Sequence, residues 1–374
     1  MSLLEYLLSK AWLRVCYLVC TVLPVRQNRV VFASARAEKL VGNLRFIHEE
    51  LERRHPELEC VFLLDRYSYS LLGKIGYLLT LSRACYHLAT AHYVVVDNAY
   101  LPVHVGPHRK QTKVIQVWHA GGALKKFGVD VVSPHREVEN RFLHKYYDYV
   151  IAPSQRSVEP YASALRTDPA RVLPLGLARS DFFFDEEAKS AARERVFETY
   201  PALAGKRIVL YAPTFRGQGV AKHVARDLDA PALKASLPED TVLVYKPHPV
   251  LEITDEERAG FDEVIRTGFD VNELFAVADV LITDYSSSIF EYVLLDKPLI
   301  VLASDLAEYE RDPGFYLDFG REMVGSLASD THDVIRIIAE DDFDLAAYPA
   351  FQAQFCERSD GHATERIVEF IAGL

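Results

Sequence analysis

Short, continuous runs of apolar residues alternate along the chain with longer stretches in which apolar positions recur at helical spacing. Continuous apolar runs bounded by turns are typical of strands buried on both faces, and helical stretches between them predict βαβ units and parallel sheets. The predicted strands of a first series are Val30–Ala33, Cys60–Leu64, Tyr93–Val96, Val114–Trp118, Tyr149–Ala152 and Val172–Pro174. The predicted strands of a second series are Ile208–Ala212, Val242–Lys246, Glu263–Arg266, Val280–Thr283 and Leu299–Leu302.

The strand series pauses near Leu175–Asp181 and restarts after an acidic helical stretch, Glu186–Tyr200. We therefore predict an α/β protein with two doubly wound, Rossmann-like parallel-sheet domains that face each other across a cleft. A chain of 374 residues suits two domains of ordinary size. The predicted domains are residues 28–182 and 183–374, preceded by an apolar segment, residues 1–27. Ligands of such sheets bind beyond the carboxyl ends of the strands, so the functional side chains are expected there.

The composition is that of a folded protein, with 49% apolar and 25% charged residues. The five cysteines contain no Cys-x-x-Cys pair and no zinc spacing with histidine, which favours a reducing cytoplasm. Charge is divided unevenly, because residues 1–150 carry 20 Lys and Arg against 13 Asp and Glu, whereas the remainder carries 22 against 40. A basic first half is compatible with an anionic lipid surface, and also with an ordinary solvated face.

Residues 1–25 are rich in apolar and aromatic side chains, but the longest run without a charged residue, Val15–Val25, is too short for a bilayer span of about 20 residues. We predict that this segment attaches the protein peripherally to the cytoplasmic face of a membrane. A second apolar segment, Leu71–Ala89, fits an interfacial helix and a buried helix of the first domain equally well. No nucleic-acid partner is expected.

His119 follows a predicted strand and precedes Gly121 and Gly122, which allow a substrate to approach the backbone closely. A histidine in this position can take a proton from an attacking hydroxyl near neutral pH, although a structural histidine beside Trp118 is the alternative. Asp97 ends a neighbouring predicted strand, and Lys125 lies further along the same segment as His119. These residues are candidates for a catalytic base and its surroundings.

Three further motifs contain groups that bind phosphate. His248 lies between two prolines after Lys246, and Arg216 follows Thr214 at the end of another predicted strand. A guanidinium group can bind phosphate through two hydrogen bonds, and an imidazole can bind the diphosphate or protonate a departing phosphate. The alternatives are a rigid surface loop for His248 and a surface arginine for Arg216.

The third of these motifs gathers an acid and three hydroxyls between a predicted strand and a predicted helix. Its candidate donor-binding residues are Asp284, Ser286, Ser287, Ser288 and, one to two helical turns later, Glu291, which could reach a nucleotide ribose. The serines are equally suitable as helix N-caps. The sequence has no Walker motif, no Gly-x-Gly-x-x-Gly fingerprint and no Asp-x-Asp metal motif, so no metal site is predicted, and Mg²⁺ is expected at most as a loosely bound ion.

These motifs, in this order, resemble the CDP-glycerol glycerophosphotransferases that build teichoic acids and related capsular polymers. The resemblance lies in Phe32-Ala33-Ser34 with Gly42-Asn43, Trp118-His119-Ala120-Gly121 with Lys125, Gly176–Asp181, Ala212–Arg216, Lys246–Pro249, and Thr283–Ser287 with Lys297-Pro298 and Asp305. It implies a GT-B fold with an acceptor-binding first domain and a nucleotide-binding second domain. It places Gly42, Asn43, Asp97, Gly121 and Lys125 on the acceptor side, and the chain length resembles the short, priming or single-domain members.

The reaction implied is transfer of glycerol phosphate, or a related polyol phosphate, from a CDP-activated donor to a hydroxyl of a lipid-linked or capsular glycan, with release of CMP. His119 would be the base, and His248 with the other donor-side residues would hold the diphosphate. Two alternatives remain open at this point: a GT-B glycosyltransferase that uses a nucleotide sugar, and a membrane-surface scaffold without catalysis.

Overall fold

The computed structural model describes residues 3–65, 71–131, 137–216, 223–224, 227–248 and 253–374. The chain forms two compact units. The first consists of Met1–Gly122, Lys126–Asp181 and Glu357–Leu374, and the second of Ala123–Lys125 and Phe182–Cys356. Each unit is built around a parallel sheet, as the alternation of apolar runs and helical stretches predicts.

The sheet of the first unit has six parallel strands in the order β2-β1-β3-β4-β5-β6. Their bounds are β1 Arg26–Ser34, β2 Glu59–Leu64, β3 Ala91–Val96, β4 Lys113–Gln116, β5 Tyr149–Ala152 and β6 Val172–Pro174. The helices of this unit are α1 Leu3–Cys20, α2 Gly42–Arg54, α3 Leu71–Thr90, α4 Glu137–Phe142, α5 Val158–Ala164 and, from the end of the chain, α15 Ala363–Ala372. The apolar runs of β1, β3 and β4 are buried, and α2 packs on them through Leu44, Ile47 and Leu51.

The last helix packs with the first unit, whereas the sequence places residues 357–374 in the second domain. α15 is strongly amphipathic and buries Ile367, Val368 and Ile371 in the core of the first sheet. Both carboxylate oxygens of Asp181 accept hydrogen bonds from backbone amides in the first turn of α15, at 3.0 and 2.7 Å. Sequence order alone could not predict this return, because the apolar stripe of α15 would fit either sheet.

The N-terminal helix is part of the first unit and not a separate segment. α1 packs against α3 and buries Tyr6, Leu13 and Tyr17, and Trp12 Nε1 donates to Ser82 Oγ of α3 at 2.8 Å. α3 buries Ala84, Cys85 and Leu88, as the alternative of a buried helix of the first domain requires, while Ile75 and Leu79 are exposed. The alternative of a helix in a membrane interface stays a prediction. Within the described residues, none of the helices has the length and apolar character needed to cross a membrane.

The sheet of the second unit also has six parallel strands, in the order β11-β10-β7-β12-β13-β14. Their bounds are β7 Arg207–Tyr211, β10 Thr241–Tyr245, β11 Glu263–Val264, β12 Val280–Thr283, β13 Leu299–Leu302 and β14 Ser326–Ala328. A short antiparallel pair, β8 Phe215–Arg216 and β9 His223–Val224, follows β7. The fold class predicted from the sequence, two doubly wound parallel sheets, is confirmed.

The helices of the second unit are α6 Glu186–Thr199, α7 Ala230–Ser236, α8 Asp255–Arg258, α9 Val271–Val277, α10 Ile289–Tyr292, α11 Leu306–Tyr309, α12 Phe319–Glu322, α13 Thr331–Glu340 and α14 Tyr348–Phe355. The core on one face of the sheet is formed by apolar side chains of β7, β10, β12 and β13 with α7 and α13. Most of these helices are short, so their stability comes from the apolar face that each buries and not from helical propensity.

Each sheet has a switch point, where consecutive connections leave neighbouring strands in opposite directions. The switch point lies between β1 and β3 in the first unit and between β7 and β12 in the second. Ligands of open parallel sheets bind outside the carboxyl ends of the strands at such points. The residues that follow β1, β3, β7 and β12 are therefore the first places to examine for chemistry.

Candidate active-site residues

At the switch point of the second unit, Thr214 follows β7 and Asp284 follows β12. Asp284 Oδ1 accepts a hydrogen bond from Thr214 N at 2.9 Å, and Oδ2 accepts one from Thr214 Oγ1 at 2.8 Å. The carboxylate is buried. It therefore fixes the loop after β7 against the end of β12, which explains why an acidic residue follows this apolar strand.

Arg216 forms ion pairs with three carboxylates at this point. Its Nε donates to Asp305 Oδ2 at 2.8 Å and its Nη1 to Asp284 Oδ2 at 2.6 Å. Nη2 donates to Asp305 Oδ1 at 3.2 Å and to Asp227 Oδ2 at 3.4 Å, and Nη1 also donates to Thr214 Oγ1 at 3.1 Å. Five contacts thus use the five N–H groups of the guanidinium, and direct binding of a diphosphate would require one of them to be exchanged.

The pKa values of two carboxylates around Arg216 are shifted in opposite directions. Burial raises the pKa of Asp227, and the charge of Arg216 offsets this only in part. For Asp305, burial is outweighed by the hydrogen bonds and charge of Arg216, so its pKa is lowered. The guanidinium also lies over the rings of Tyr285 and Tyr309, with its Cζ at 5.3 and 5.1 Å from the ring centroids. Arg216 therefore holds this end of the sheet together, and its direct contact with diphosphate stays a prediction.

Lys246 and His248 follow β10. Lys246 Nζ is buried and donates to the backbone carbonyls of Arg266 and Phe269 at 3.1 and 3.2 Å. Burial lowers the pKa of this lysine, and the nearby acids oppose the shift. Lys246 thus fixes the loop before α9, whereas the half-buried ring of His248 packs edge-on against Phe215 at 4.9 Å. Pro249, the second proline of this motif, lies outside the described residues.

The serine triplet leads into α10, a helix of only four residues. Ser286 Oγ accepts a hydrogen bond from Ser288 N at 3.2 Å and lies 2.7 Å from Ser288 Oγ. Ser287 lies between these two serines and is half-buried. Glu291 is buried and accepts a hydrogen bond from Asn272 Nδ2 at 2.9 Å. The predicted contacts of these residues with a donor stay predictions.

In the first unit, the imidazole of His119 is oriented by the backbone at the end of β3. Its Nδ1 lies 2.8 Å from the carbonyl oxygen of Asp97. A carbonyl oxygen only accepts hydrogen bonds, so Nδ1 carries the proton and the neutral ring has an acceptor lone pair at Nε2. This is the tautomer that a general base acting through Nε2 requires.

The segment around His119 is held in a strained conformation. Trp118 has a φ of +49°, which is in the left-handed region that bulky residues rarely adopt. Asn43 holds this turn, because its Nδ2 donates to the carbonyls of Val117 and Trp118 at 3.1 and 3.0 Å. The Tyr161 hydroxyl lies 2.9 Å from the carbonyl oxygen of Ala120, next to the buried Gly121. These contacts fix the backbone on both sides of His119.

Four of the five predicted acceptor-side residues lie in the first unit. Gly42 has a φ of +53° at the start of α2, directly before Asn43. The Asp97 carboxylate is buried, which raises its pKa against the opposing effect of nearby arginine charge. Lys125 is the exception, because the backbone of residues 123–125 pairs with the segment at Phe315 in the second unit. Lys125 Nζ donates to the Tyr309 hydroxyl at 3.1 Å, so its assignment to the first domain is corrected.

Sequence reasoning missed several side chains at these switch points. Arg36 follows β1 and its Nη1 lies 3.6 Å from Asp97 Oδ2. Asp227 and Asn272 contact Arg216 and Glu291, respectively. A signal was available only for Arg36, which comes three residues after the predicted first strand. Asp227 and Asn272 lie in segments whose spatial neighbours cannot be read from the order of the chain.

Comparison with proteins of known identity shows the family to which the chain belongs. The family model for CDP-glycerol:poly(glycerophosphate) glycerophosphotransferases matches residues 15–373. The teichoic acid ribitol-phosphate primase of Bacillus spizizenii is 35% identical over 368 residues, which is 96% of this chain and 94% of that protein. The teichoic acid poly(ribitol-phosphate) polymerase of the same organism is 34% identical over 95% of this chain but only 58% of its own length.

Among solved structures, the wall teichoic acid polymerase TagF, in a histidine-to-asparagine variant soaked with CDPG, matches with a TM-score of 0.79 and 21% identity. The match covers 98% of this chain and 93% of that one. Two doubly wound sheets with this likeness define a transferase fold of the GT-B type. The chain belongs to the CDP-glycerol:poly(glycerophosphate) glycerophosphotransferase family, and it is an enzyme, as the sequence predicts.

Proposed function

We propose that this enzyme transfers ribitol phosphate, or a closely related polyol phosphate, from its CDP ester to a hydroxyl of a lipid-linked or glycan acceptor in teichoic acid synthesis. Ribitol is favoured because the ribitol-phosphate primase and polymerase of Bacillus spizizenii are 35% and 34% identical, whereas the glycerol-phosphate primase and polymerase of Bacillus subtilis are 29% identical. The ribitol-phosphate polymerases TarK and TarL of Staphylococcus aureus are 28% identical. The observation that carries the proposal is the hydrogen bond from His119 Nδ1 to the carbonyl oxygen of Asp97, which fixes the tautomer that a base acting through Nε2 requires.

In the proposed step, the acceptor oxygen attacks the β-phosphorus of the CDP ester. His119 Nε2 takes the proton of that hydroxyl while the new P–O bond forms. The bond between the β-phosphorus and the oxygen of CMP breaks, and CMP leaves with the electron pair. His248 and the hydroxyls of Ser286–Ser288 bind the diphosphate in this proposal, and the cluster of Thr214, Arg216 and Asp284 positions the loops that carry them.

The proposal is tested by incubating the purified protein with CDP-ribitol, CDP-glycerol and UDP-N-acetylglucosamine, each with a lipid-linked acceptor. We expect release of CMP from the CDP-polyols, fastest from CDP-ribitol, and no release of UDP. Release of UDP with no CMP would instead identify a glycosyltransferase. Repeating the assay with EDTA tests the prediction that no tightly held metal is required.

We also propose that the first unit attaches to an anionic membrane surface through α1. The helix exposes an apolar stripe at helical spacing, formed by Leu4, Leu8, Trp12, Val15 and Val19, of which Leu8 is 64% and Val19 65% exposed. Ile75 and Leu79 of α3 are exposed on the neighbouring helix, and the first 150 residues have an excess of basic side chains. An exposed apolar face with surplus positive charge is typical of helices that lie in the headgroup region.

The replacement of Leu8 and Val19 by glutamate is expected to lower partitioning onto vesicles of phosphatidylglycerol and phosphatidylcholine at least tenfold. Two apolar contacts are lost and two negative charges face an anionic surface. Co-sedimentation with sucrose-loaded vesicles measures the effect. Leu345→Glu is the matched control, because Leu345 is also exposed but belongs to the second unit. Equal binding of the double variant and the wild type would exclude α1 as the membrane surface.

A further inference from the structure

Gln116, at the end of β4, holds the two backbone segments that orient the proposed base. Its side chain is fully buried, its Oε1 accepts a hydrogen bond from the Trp118 amide at 2.8 Å, and its Nε2 donates to the carbonyl of Asn98 at 3.0 Å. Trp118 directly precedes His119. Asn98 directly follows Asp97, whose carbonyl fixes the tautomer of His119. The distance between the imidazole and this carbonyl therefore depends on the orientation of one buried amide.

The hydroxyl of Tyr147 orients this amide. It accepts the other N–H of Gln116 Nε2 at 3.0 Å. The same oxygen lies 3.2 Å from Nε2 of His104 and 3.3 Å from Nδ1 of His144, and both of these imidazoles are fully buried. Burial raises the pKa of Tyr147, so the hydroxyl keeps its proton. One O–H group therefore faces two imidazole nitrogens, and it can donate to only one of them.

His104 is the imidazole that accepts this proton. Its Nδ1 lies 2.7 Å from the carbonyl oxygen of Lys145, closer than the 3.3 Å that separates it from the amide nitrogen of the same residue. Because a carbonyl oxygen only accepts, Nδ1 carries the proton. Burial lowers the pKa of His104 well below its ordinary value, and the neighbouring His144 adds to this effect, so the ring is neutral and Nε2 is an acceptor. The Tyr147 hydroxyl donates to His104, and His144 must donate to Tyr147.

The hydrogen bonds of His144 require a proton on each ring nitrogen. Nδ1 donates to the Tyr147 oxygen, and Nε2 lies 3.2 Å from Oε1 of Glu139. A glutamic acid side chain is a stronger acid than an imidazolium, so the proton between this pair resides on the imidazole. His144 is then a buried cation paired with Glu139. Its ring also packs against the indole of Trp118, with 5.9 Å between the ring centroids.

We propose that Tyr147 and a positively charged His144 are positioning residues for the transfer reaction, because they orient Gln116 and with it the turn that carries His119. The inference rests on the proposed function and adds a buried ionic group to it. Both side chains are buried, so they act through the backbone around Trp118 and not by contact with a substrate. Without the Tyr147 hydroxyl, three buried polar groups would lose a partner, and they can regain one only if Gln116 and the turn move.

The kinetic experiment compares Tyr147→Phe with wild type in the release of CMP from CDP-polyols. We expect kcat to fall about 10-fold or more, the size expected for buried hydrogen bonds that include a charged group, with little change in KM for the CDP-polyol. Tyr100→Phe is the matched control and should retain the activity of wild type. The Tyr100 hydroxyl is equally buried in the first unit, but it has no hydrogen-bond partner among the described residues.

His144→Asn and His144→Ala separate the hydrogen bond of His144 from its bulk. The amide of asparagine places an N–H group near the position of Nδ1, and asparagine tolerates the φ of +53° at this residue. We expect His144→Asn to retain more of kcat than His144→Ala. Equal kcat values for the two variants would show that the N–H group directed at Tyr147 contributes nothing, and would remove His144 from the network.

NMR of protein labelled with ¹⁵N in its histidines tests the network without reference to activity, and the His144 and His119 variants assign the signals. In wild type near pH 7 we expect the two ring nitrogens of His144 to give the closely similar shifts of an imidazolium, and those of His119 to give the two separate shifts of a single neutral tautomer. In Tyr147→Phe the His119 signals should shift or broaden, whereas in Tyr100→Phe they should stay unchanged.

A neutral His144 in wild type would overturn the charge assignment. A folded Tyr147→Phe protein with the kcat of Tyr100→Phe, or with unchanged His119 signals, would overturn the positioning role. If wild type releases no CMP from any CDP-polyol, the proposed function fails, and the NMR comparison alone then decides whether Tyr147 and His144 orient His119. If Tyr147→Phe does not fold, the loss of kcat in His144→Ala relative to His144→Asn decides in its place.

Discussion

Replacement of His119 by alanine is expected to lower the turnover number about 10²–10⁴-fold, the usual contribution of a general base, while the CDP-polyol still binds. The fixed tautomer of His119 is the reason, because Nδ1–H donates to the carbonyl of Asp97 and leaves Nε2 to accept the proton. His119→Gln should lose a similar factor, since an amide can keep a hydrogen bond but cannot take up a proton at neutral pH. Steady-state CMP release gives the turnover number, and calorimetry gives the affinity for the donor.

His248→Ala is the matched comparison for this prediction, since it removes another half-buried imidazole from a loop after a parallel strand. If His248 binds the diphosphate, its loss should weaken donor affinity as well as turnover, whereas loss of His119 should affect turnover almost alone. A well-folded His119→Ala enzyme with turnover close to that of wild type would exclude His119 as the base. Unchanged donor affinity in His248→Ala would remove that residue from the diphosphate site.

The part of this fold that the sequence predicts is the part determined by local pattern. Tyr149–Ala152, Val280–Thr283 and Leu299–Leu302 are predicted to the residue, because a buried parallel strand must be apolar throughout and is bounded by turns. β14 is missed, since its three residues, Ser326–Ala328, contain one exposed position and make too short a pattern. α15 is recognisable as an amphipathic helix, but which of two similar sheets it covers depends on contacts across the whole chain.

In the candidate site, likewise, individual residues can be predicted from the sequence but their partners in space cannot. His119, Asp284 and Arg216 are found from the sequence because each follows a predicted strand and carries chemistry. The pairing of Arg216 with three carboxylates is not found, because Asp227 and Asp305 are brought to it by loops with no regular pattern. A lone arginine in such a motif therefore suggests a phosphate ligand, whereas the structure assigns its N–H groups to protein acceptors.

The backbone conformation of Trp118, next to His119, could not be predicted from the sequence. A tryptophan with a φ of +49° costs about 1–3 kcal/mol, and no local sequence rule would place one directly after a strand. Asn43 holds the turn from a helix more than 70 residues away, and Gln116 Oε1 accepts the Trp118 amide at 2.8 Å. The strain is therefore supported by tertiary contacts, and it directs His119 to the carbonyl of Asp97.

Arg216→Gln is expected to lower the free energy of unfolding by about 3 kcal/mol at pH 7, which makes it the largest stability effect predicted for a single side chain here. Removal of one partner from a buried ionic cluster leaves the others uncompensated, and such losses are typically 3–5 kcal/mol. The Arg216 side chain is 14% exposed, and Asp284 beside it is almost fully buried. Thr214 would also lose its fixed position, so donor affinity should fall together with stability.

The loss of stability in the Arg216→Gln variant should depend on pH in a defined direction. Arg216 lowers the pKa of Asp305 in the folded state, so this carboxylate stabilises wild type above its unfolded pKa of about 3.9, and the contribution disappears as the pH falls through the folded pKa. The variant lacks that contribution, so the difference in stability between wild type and Arg216→Gln should be largest near neutral pH and should shrink below about pH 4.

Urea denaturation followed by circular dichroism at several pH values measures this difference, and fluorescence reports on the first unit, which contains both tryptophans, Trp12 and Trp118. Arg207→Gln is the control, because Arg207 is a partly exposed arginine of the same sheet that pairs with the exposed Asp341 at 3.8 Å. Such surface pairs contribute less than about 1 kcal/mol. Asp305→Asn in the Arg216→Gln background should recover part of the stability, since it removes one of the unpaired carboxylates. Equal destabilisation by Arg216→Gln and Arg207→Gln, or a difference that grows in acid, would show that Arg216 does not hold the three carboxylates together.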